Sequence, residues 1–183
     1  MKKIINDFAL LICMSLFVIS CNSTQGKNLV IEKPIQAIDT TIVPPQRIEL
    51  LDSSEAYWKN KLSEEAFTVL RLKGTERSFT GEYWDNHTDG VYVCKGCGLP
   101  LFTADTKFES GTGWPSFFKP INEMYIKNIN DESHGMVRVE TICARCGGHL
   151  GHVFEDGPAP TGLRYCLNSI SLNFIANAKI ANK

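Results

Sequence analysis

Val93-Cys94-Lys95-Gly96-Cys97-Gly98 and Ile142-Cys143-Ala144-Arg145-Cys146-Gly147 repeat one short pattern, a β-like run ending in Cys-x-x-Cys and closed by glycine, with 45 residues between Cys97 and Cys143. Glycine at such a turn lets backbone amides swing toward the sulfurs, and two turns of this kind complete a tetrahedral Cys₄ zinc site with no coordination position left open. The Zn2+ is therefore expected to be structural. The interval is longer than that of a small zinc ribbon, so the metal would staple distant parts of one domain together. A redox role for one Cys-x-x-Cys, or disulfides among the same four residues, is the competing reading in an oxidising compartment.

Outward from the knuckles the chain reads as short β-like runs punctuated by glycine, proline and asparagine. Candidate strands are Val91–Cys94, Leu101–Phe102, Met136–Thr141, Leu150–Phe154 and a long, bent Leu163–Phe174. Helical signals come before them. Ser54 can cap a segment carrying Ala56, Tyr57, Trp58 and Leu62, and Ser63 can cap Glu64–Lys73, with Gly74 as its stop. Glutamates open the second helix and Arg71 and Lys73 close it, which complements the helix dipole. The expectation is one mostly-β domain with small helices in front. At 183 residues and 43% hydrophobic content there is material for one core.

Residues 1–21 read as a leader: Lys2 and Lys3, an apolar run over 8–20, then Val18-Ile19-Ser20-Cys21, which resembles a bacterial lipobox. In such signals the cysteine is lipidated and becomes the mature N-terminus; an ordinary signal peptide that happens to contain Cys21 is the alternative. Residues 22–52, polar and carrying Pro34, Pro44 and Pro45, read as a flexible tether, 53–176 as the catalytic domain and 177–183 as a tail. This organisation predicts a lipid-anchored, extracytoplasmic protein of the cell envelope, on the periplasmic side, membrane-bound through its N-terminus. The net charge of -1 and the lack of a basic cluster argue against nucleic acid as a partner.

Cys166 lies in the strand-like run Leu163–Ser169, where alternation puts Arg164, Cys166 and Asn168 on one face. A neighbouring guanidinium favours thiolate, whereas a lone strand cysteine is commonly a buried structural residue. Nearby in sequence, Gly148-His149-Leu150-Gly151-His152-Val153-Phe154 offers two imidazoles that can deliver a proton, or serve as structural or ligand histidines, and Asp156 can hold Arg164. The loop Ser110–Phe118 presents Trp114, either as a surface for a methyl or thioether group or as a plug over the β core.

Lys73-Gly-Thr-Glu-Arg77, Gly81-Glu-Tyr-Trp84, Gly111-Thr-Gly-Trp-Pro-Ser-Phe117, Gly148–Phe154 and Arg164-Tyr-Cys-Leu-Asn-Ser169, in that order and with both knuckles, resemble the type B methionine sulfoxide reductases, peptide-methionine (R)-S-oxide reductases. That family's fold is two antiparallel β-sheets in a compact sandwich- or barrel-like domain with short N-terminal helices, and its zinc lies away from the active site. The resemblance implies an oxidoreductase of oxidative-stress response and protein repair. Its substrates would be oxidised methionine in proteins and, more weakly, the free amino acid. Cys166 would attack the sulfoxide sulfur while His152, helped by His149, protonates the oxygen. Arg164, oriented by Asp156, would stabilise the thiolate; Trp114 would pack on the substrate methyl group; Asn168 would organise substrate and water. Many members carry a resolving cysteine where this chain has Thr112. Of seven cysteines, Cys13 falls in the leader, Cys21 at the lipidation site and four at zinc, which leaves only Cys166. The expectation is a monomer whose sulfenic acid is reduced directly by a thioredoxin-like or other external thiol. A catalytically silent zinc-stabilised binding module and a Cys-x-x-Cys thiol-disulfide oxidoreductase are the rival functions.

Overall fold

The computed structural model describes residues 48–51 and 54–177. Cys13, Cys21, the leader, nearly all of the tether and residues 178–183 lie outside the described residues. Among those described, no helix is long and apolar enough to cross a membrane.

Both expected helices form for the expected reasons. Ser54 Oγ accepts the Tyr57 amide at the start of α1 (Glu55–Lys61), and Ser63 Oγ accepts the Ala66 amide at the start of α2 (Glu64–Leu72). The end of α2 differs from the expectation. The left-handed residue is Lys73 (φ 59°), one before Gly74, whose amide closes on the Thr68 carbonyl at 3.0 Å. That conformation costs a non-glycine residue about 1 kcal/mol. Lys73 Nζ meets Glu140 Oε2 at 2.7 Å, a contact that gives a physical reason for lysine at this strained position.

Among the described residues nine strands follow: β1 (Gly90–Cys94), β2 (Pro100–Thr103), β3 (Lys107–Phe108), β4 (Ser116–Phe117), β5 (Ile126–Asp131), β6 (Arg138–Cys143), β7 (His149–Phe154), β8 (Arg164–Leu167) and β9 (Leu172–Ala176). They make two antiparallel sheets, one ordered β2-β1-β9 and the other β3-β4-β8-β7-β6-β5. The single bent strand expected over Leu163–Phe174 is two strands in different sheets, divided by a 3-10 turn at Ser169–Ser171. Aromatic side chains join the sheets. Tyr92 (β1) meets Phe117 (β4) at 4.9 Å between ring centroids, and Phe102 (β2) meets Phe117 at 4.7 Å and Tyr165 (β8) at 5.5 Å. All four rings are buried, each worth about 2–3 kcal/mol by area. Helix α2 lays Ala66, Phe67 and Leu70 on this core, against β7 and the Ser169–Ser171 turn.

The tether's last described residues belong with the domain. Ile48 and Leu51 pack against the core, and the Leu51 amide donates to the Arg145 carbonyl at 2.7 Å. At the other end the Asn177 amide donates to Asp89 at 3.0 Å and so prolongs the β1–β9 pairing.

Candidate active site and metal centre

Register builds the site. In the six-stranded sheet Glu140 pairs with His152, His152 with Cys166, and Cys166 with Ser116. Directly opposed residues share a face, so one row across four strands sets a carboxylate, an imidazole, a thiol and a hydroxyl side by side. In a regular strand His149, three residues from His152, would point the other way. Here β7 carries one residue, Leu150, for which β6 has no counterpart: Thr141 pairs with Gly151 but Ile142 with His149. The bulge restores the phase, and the two imidazole rings sit 5.4 Å apart. The Leu150 carbonyl at the bulge accepts from the Asn168 amide (2.8 Å), Asn168 Nδ2 (3.1 Å) and Ser171 Oγ (3.3 Å).

Two further devices hold the strands at this spacing. A Cβ at Gly151 would collide with the Cys166 carbonyl oxygen and lie 2.9 Å from Leu167 Cα, so glycine lets β7 and β8 close up beside the thiol. Glu76 works from outside the sheet. Its carboxylate accepts the Ser169 and Ile170 amides (2.6 and 2.9 Å), its amide donates to Asn168 Oδ1 (3.0 Å), and its carbonyl accepts Trp114 Nε1 (3.1 Å). It thus fixes both Trp114 and Asn168.

Cys166 lies in a cleft of about 130 Å³ with His152, Trp114, Phe154, Arg138 and Thr75. The walls are apolar on the Trp114 and Phe154 sides and polar around His152 and Arg138. Arg164 makes two 2.8 Å bonds to Asp156, from Nε to Oδ1 and from Nη2 to Oδ2, with its guanidinium 4.4 Å from the Phe154 ring centroid. Burial pushes the Cys166 thiol up, against the Thr112 hydrogen bond and the positive field of Arg164, so the arginine moderates the cost of burial without overcoming it. Thr112 Oγ1 is 3.8 Å from Cys166 Sγ and begins a line of hydroxyls through Ser110 (2.8 Å) to Ser116 (2.7 Å).

The two histidines have different surroundings. His152 lines the cleft, its Nε2 2.8 Å from Asp131 Oδ2, and Arg138 Nη2 bonds the same oxygen at 2.7 Å. Hydrogen bonds from Ser133 and His152 hold the Asp131 carboxyl well below the usual carboxylate range. His149 is buried behind the cleft wall, its Nδ1 2.7 Å from Glu140 Oε1. Burial pushes it down and Glu140 opposes that. Asn168 borders the cleft, but both ends of its amide are bonded to backbone.

Asp131, Arg138, Glu140 and Glu76 had no role in the sequence reading. One signal was available: Arg138 and Glu140 alternate within a run read as a strand, so two charged residues share a face there.

Cys94, Cys97, Cys143 and Cys146 come together as expected, every pair of sulfurs lying within 4.8 Å. The Cys94–Cys146 and Cys97–Cys143 separations are 3.6 and 3.5 Å, close to the roughly 3.8 Å edge of a tetrahedron with zinc–sulfur bonds of about 2.3 Å. Gly98 and Gly147 adopt φ of 72° and 67°, and their amides donate to the Cys94 and Cys143 carbonyls at 2.7 and 2.8 Å, so the knuckles are matching turns. Arg71 donates to the Cys146 carbonyl (2.9 Å) and Arg145 to that of Cys97 (3.3 Å), bracing the centre from α2 and across the knuckles. The donor set fits a structural metal ion, and none of its sulfurs lines the Cys166 cleft.

Residues 62–176 match the SelR domain. The peptide methionine sulfoxide reductase MsrB of Thiobacillus denitrificans is 57% identical over 121 residues, 66% of this chain and 92% of its own length. The chain belongs to the type B methionine sulfoxide reductase family. Its MsrB relatives in Leptospira interrogans (54% over 124 residues, 68% of this chain and 95% of theirs) and a Synechococcus strain (54% over 137 residues, 75% and 97%) are similar over the same domain. The protein is thus a methionine sulfoxide reductase, an oxidoreductase whose substrate is oxidised methionine and whose electrons come from a thiol. The binding-module and disulfide-exchange alternatives fall away with this assignment.

Proposed function

We propose that the enzyme reduces methionine (R)-sulfoxide, in polypeptides and more weakly as the free amino acid, through a cycle that uses one cysteine. The Cys166 thiolate attacks the sulfoxide sulfur while a proton passes to the oxygen, and the S–O bond breaks to give methionine and a sulfenic acid on Cys166. His152 faces the thiol from the next strand and supplies that proton, with His149 behind it; Arg164, braced by Asp156, favours the thiolate. Trp114 and Phe154 receive the methyl end of the side chain, and Asn168 holds the bulge that aligns the histidines. One external thiol then attacks the sulfenic sulfur and releases water. A second cleaves the mixed disulfide and regenerates Cys166.

The observation that carries the one-cysteine cycle is Thr112 Oγ1 at 3.8 Å from Cys166 Sγ, with the other four described cysteines gathered at the metal centre. The test is turnover of separated R and S epimers with dithiothreitol and with thioredoxin. Reduction of R alone, better with dithiothreitol and leaving no internal disulfide, is expected. Activity confined to S, or a trapped disulfide to Cys166, would sink it.

The ion at the four cysteines is taken as Zn2+, and the chain as a monomer. Lys2, Lys3, the apolar run 8–20 and Val18-Ile19-Ser20-Cys21 support cleavage and lipidation at Cys21 and anchoring on the periplasmic side of the envelope. Mass spectrometry of the mature N-terminus tests this: a diacylglyceryl adduct on Cys21 is expected, and an unmodified Cys21 would refute it.

A further inference from the structure

Behind the cleft wall, three ionisable side chains from three elements form a line: Lys73 Nζ to Glu140 Oε2 at 2.7 Å, and Glu140 Oε1 to His149 Nδ1 at 2.7 Å. Glu140 and His149 are 1% and 3% exposed, so a buried carboxylate has one oxygen on a buried imidazole and the other on a lysine that reaches it from the surface. A second observation is independent of that pairing. His149 Nε2 is buried and has no hydrogen-bond partner among the described residues. A neutral imidazole has one N–H, and a carboxylate can only accept, so the Nδ1 contact places the proton on Nδ1 and leaves Nε2 as a bare acceptor. The third observation is the backbone at Lys73, left-handed at φ 59° although glycine follows immediately. A site that tolerates strain where the neighbouring residue would relieve it points to a use for the lysine side chain.

We propose that Lys73 and Glu140 are positioning residues for His149, fixing its ring and holding it as the neutral Nδ1–H tautomer with a bare Nε2 beside His152. This rests on the reading of His149 and His152 as the proton-handling pair. Glu140 alone would draw a second proton onto His149; Lys73 offsets that pull by sharing the carboxylate. The charged and titratable groups around His149 are Glu140 from β6, Lys73 from the end of α2 and His152 on its own strand, with Asp131 and Arg138 beyond His152. With Lys73 removed, the balance tips toward the imidazolium. The bare acceptor, which can take a hydrogen bond or a proton as His152 turns over, is then lost.

The test uses the zinc-loaded full chain, the separated sulfoxide epimers and nitrogen-15 shifts of the histidine rings. Wild type should show His149 with Nδ1 protonated and Nε2 bare. Lys73→Gly removes one partner of the buried Glu140 carboxylate, a cost that relief of the left-handed strain partly offsets, so the variant should stay folded with a modestly lower melting temperature. The kcat for the R epimer should fall about tenfold, a part of the roughly 10²–10⁴-fold that a positioned acid–base group supplies, and His149 should carry two protons at a pH where wild type carries one. Lys73→Arg keeps a cation and should stay near wild type in both readouts. Glu140→Gln should scramble the His149 tautomer; if it does not fold, Lys73→Gly decides alone. Unchanged His149 shifts in Lys73→Gly, or altered shifts with full kcat, would overturn the proposal. A wild-type enzyme inactive on the R epimer would instead overturn the underlying reading, with the tautomer measurement still testing the positioning.

Discussion

Replacing Glu76 with alanine tests whether the active site is held from outside the sheet. The carboxylate accepts the amides of Ser169 and Ile170, and Ser169 is 2% exposed, so its amide would be left without a partner in the interior. Hydrogen bonds to a charged group are worth about 1.5–3 kcal/mol each. Counting the Ser169 bond in full and the bond to half-buried Ile170 at a discount gives about 3 kcal/mol, which for a domain of this size lowers Tm by about 10 °C. Glu76→Gln should not rescue it. A carboxylate offers an oxygen to each amide, whereas glutamine turns an NH₂ group toward one of them, donor against donor. Calorimetry on both variants reads the stability, and kcat/KM at a temperature where both remain folded reads the loosening of Trp114 and Asn168. A Glu76→Ala shift within the roughly 0.5 kcal/mol of an ordinary surface substitution would refute the reasoning, as would full recovery in Glu76→Gln.

Thr112→Cys should bring a second thiol against Cys166, so that turnover supported by thioredoxin rises and mass spectrometry finds a 112–166 disulfide; its absence after turnover would contradict the proximity argued from the 3.8 Å contact. Because burial raises the Cys166 thiol, iodoacetamide alkylation should show a midpoint above the ordinary value of about 8.5. Arg164→Met and Thr112→Val, which remove influences that favour the thiolate, should move that midpoint further up, and a downward move would refute the assignment of either. Stripping the metal with a chelator should unfold the domain and abolish activity, with recovery on returning Zn2+, as for other tetrathiolate sites whose binding free energy is folding free energy. Retained melting behaviour in the stripped protein would count against a structural role.

The knuckles, the two capped helices and Cys166 could be read directly because each is a local pattern: paired Cys-x-x-Gly turns, serine before an amphipathic run, alternation in a strand. What escaped reading was non-local or looked polar. Strand β5 exposes Lys127, Asn128, Ile129 and Asn130 at the sheet edge, so no buried face marked it as a strand. Strands β3 and β4 are two residues each, too short to show a period within a loop of glycine and aromatics. The run Leu163–Phe174 carries β-formers on both sides of the Ser169–Ser171 turn and so reads as one strand; its marks of passage from one sheet to the other are the Asn168-Ser169 pair and the change of apolar phase from Leu163, Tyr165 and Leu167 to Ile170, Leu172 and Phe174. Glu76 and Glu140 act through partners about 90 and 70 residues away respectively, as the bonds to Ser169 and Lys73 show, and no window of sequence contains both ends.

The unmatched Leu150 makes the length of β7 as consequential as its composition. Deleting that single residue would leave His149 opposite Ile142 and, now two residues from His152, still on its face, but it would remove the carbonyl that accepts the Asn168 amide, Asn168 Nδ2 and Ser171 Oγ. Substitutions at Leu150 would be judged by packing alone. A related chain with one residue fewer between the two histidines would therefore keep both imidazoles on one face and lose the anchor that ties β7 to Asn168 and the Ser169–Ser171 turn.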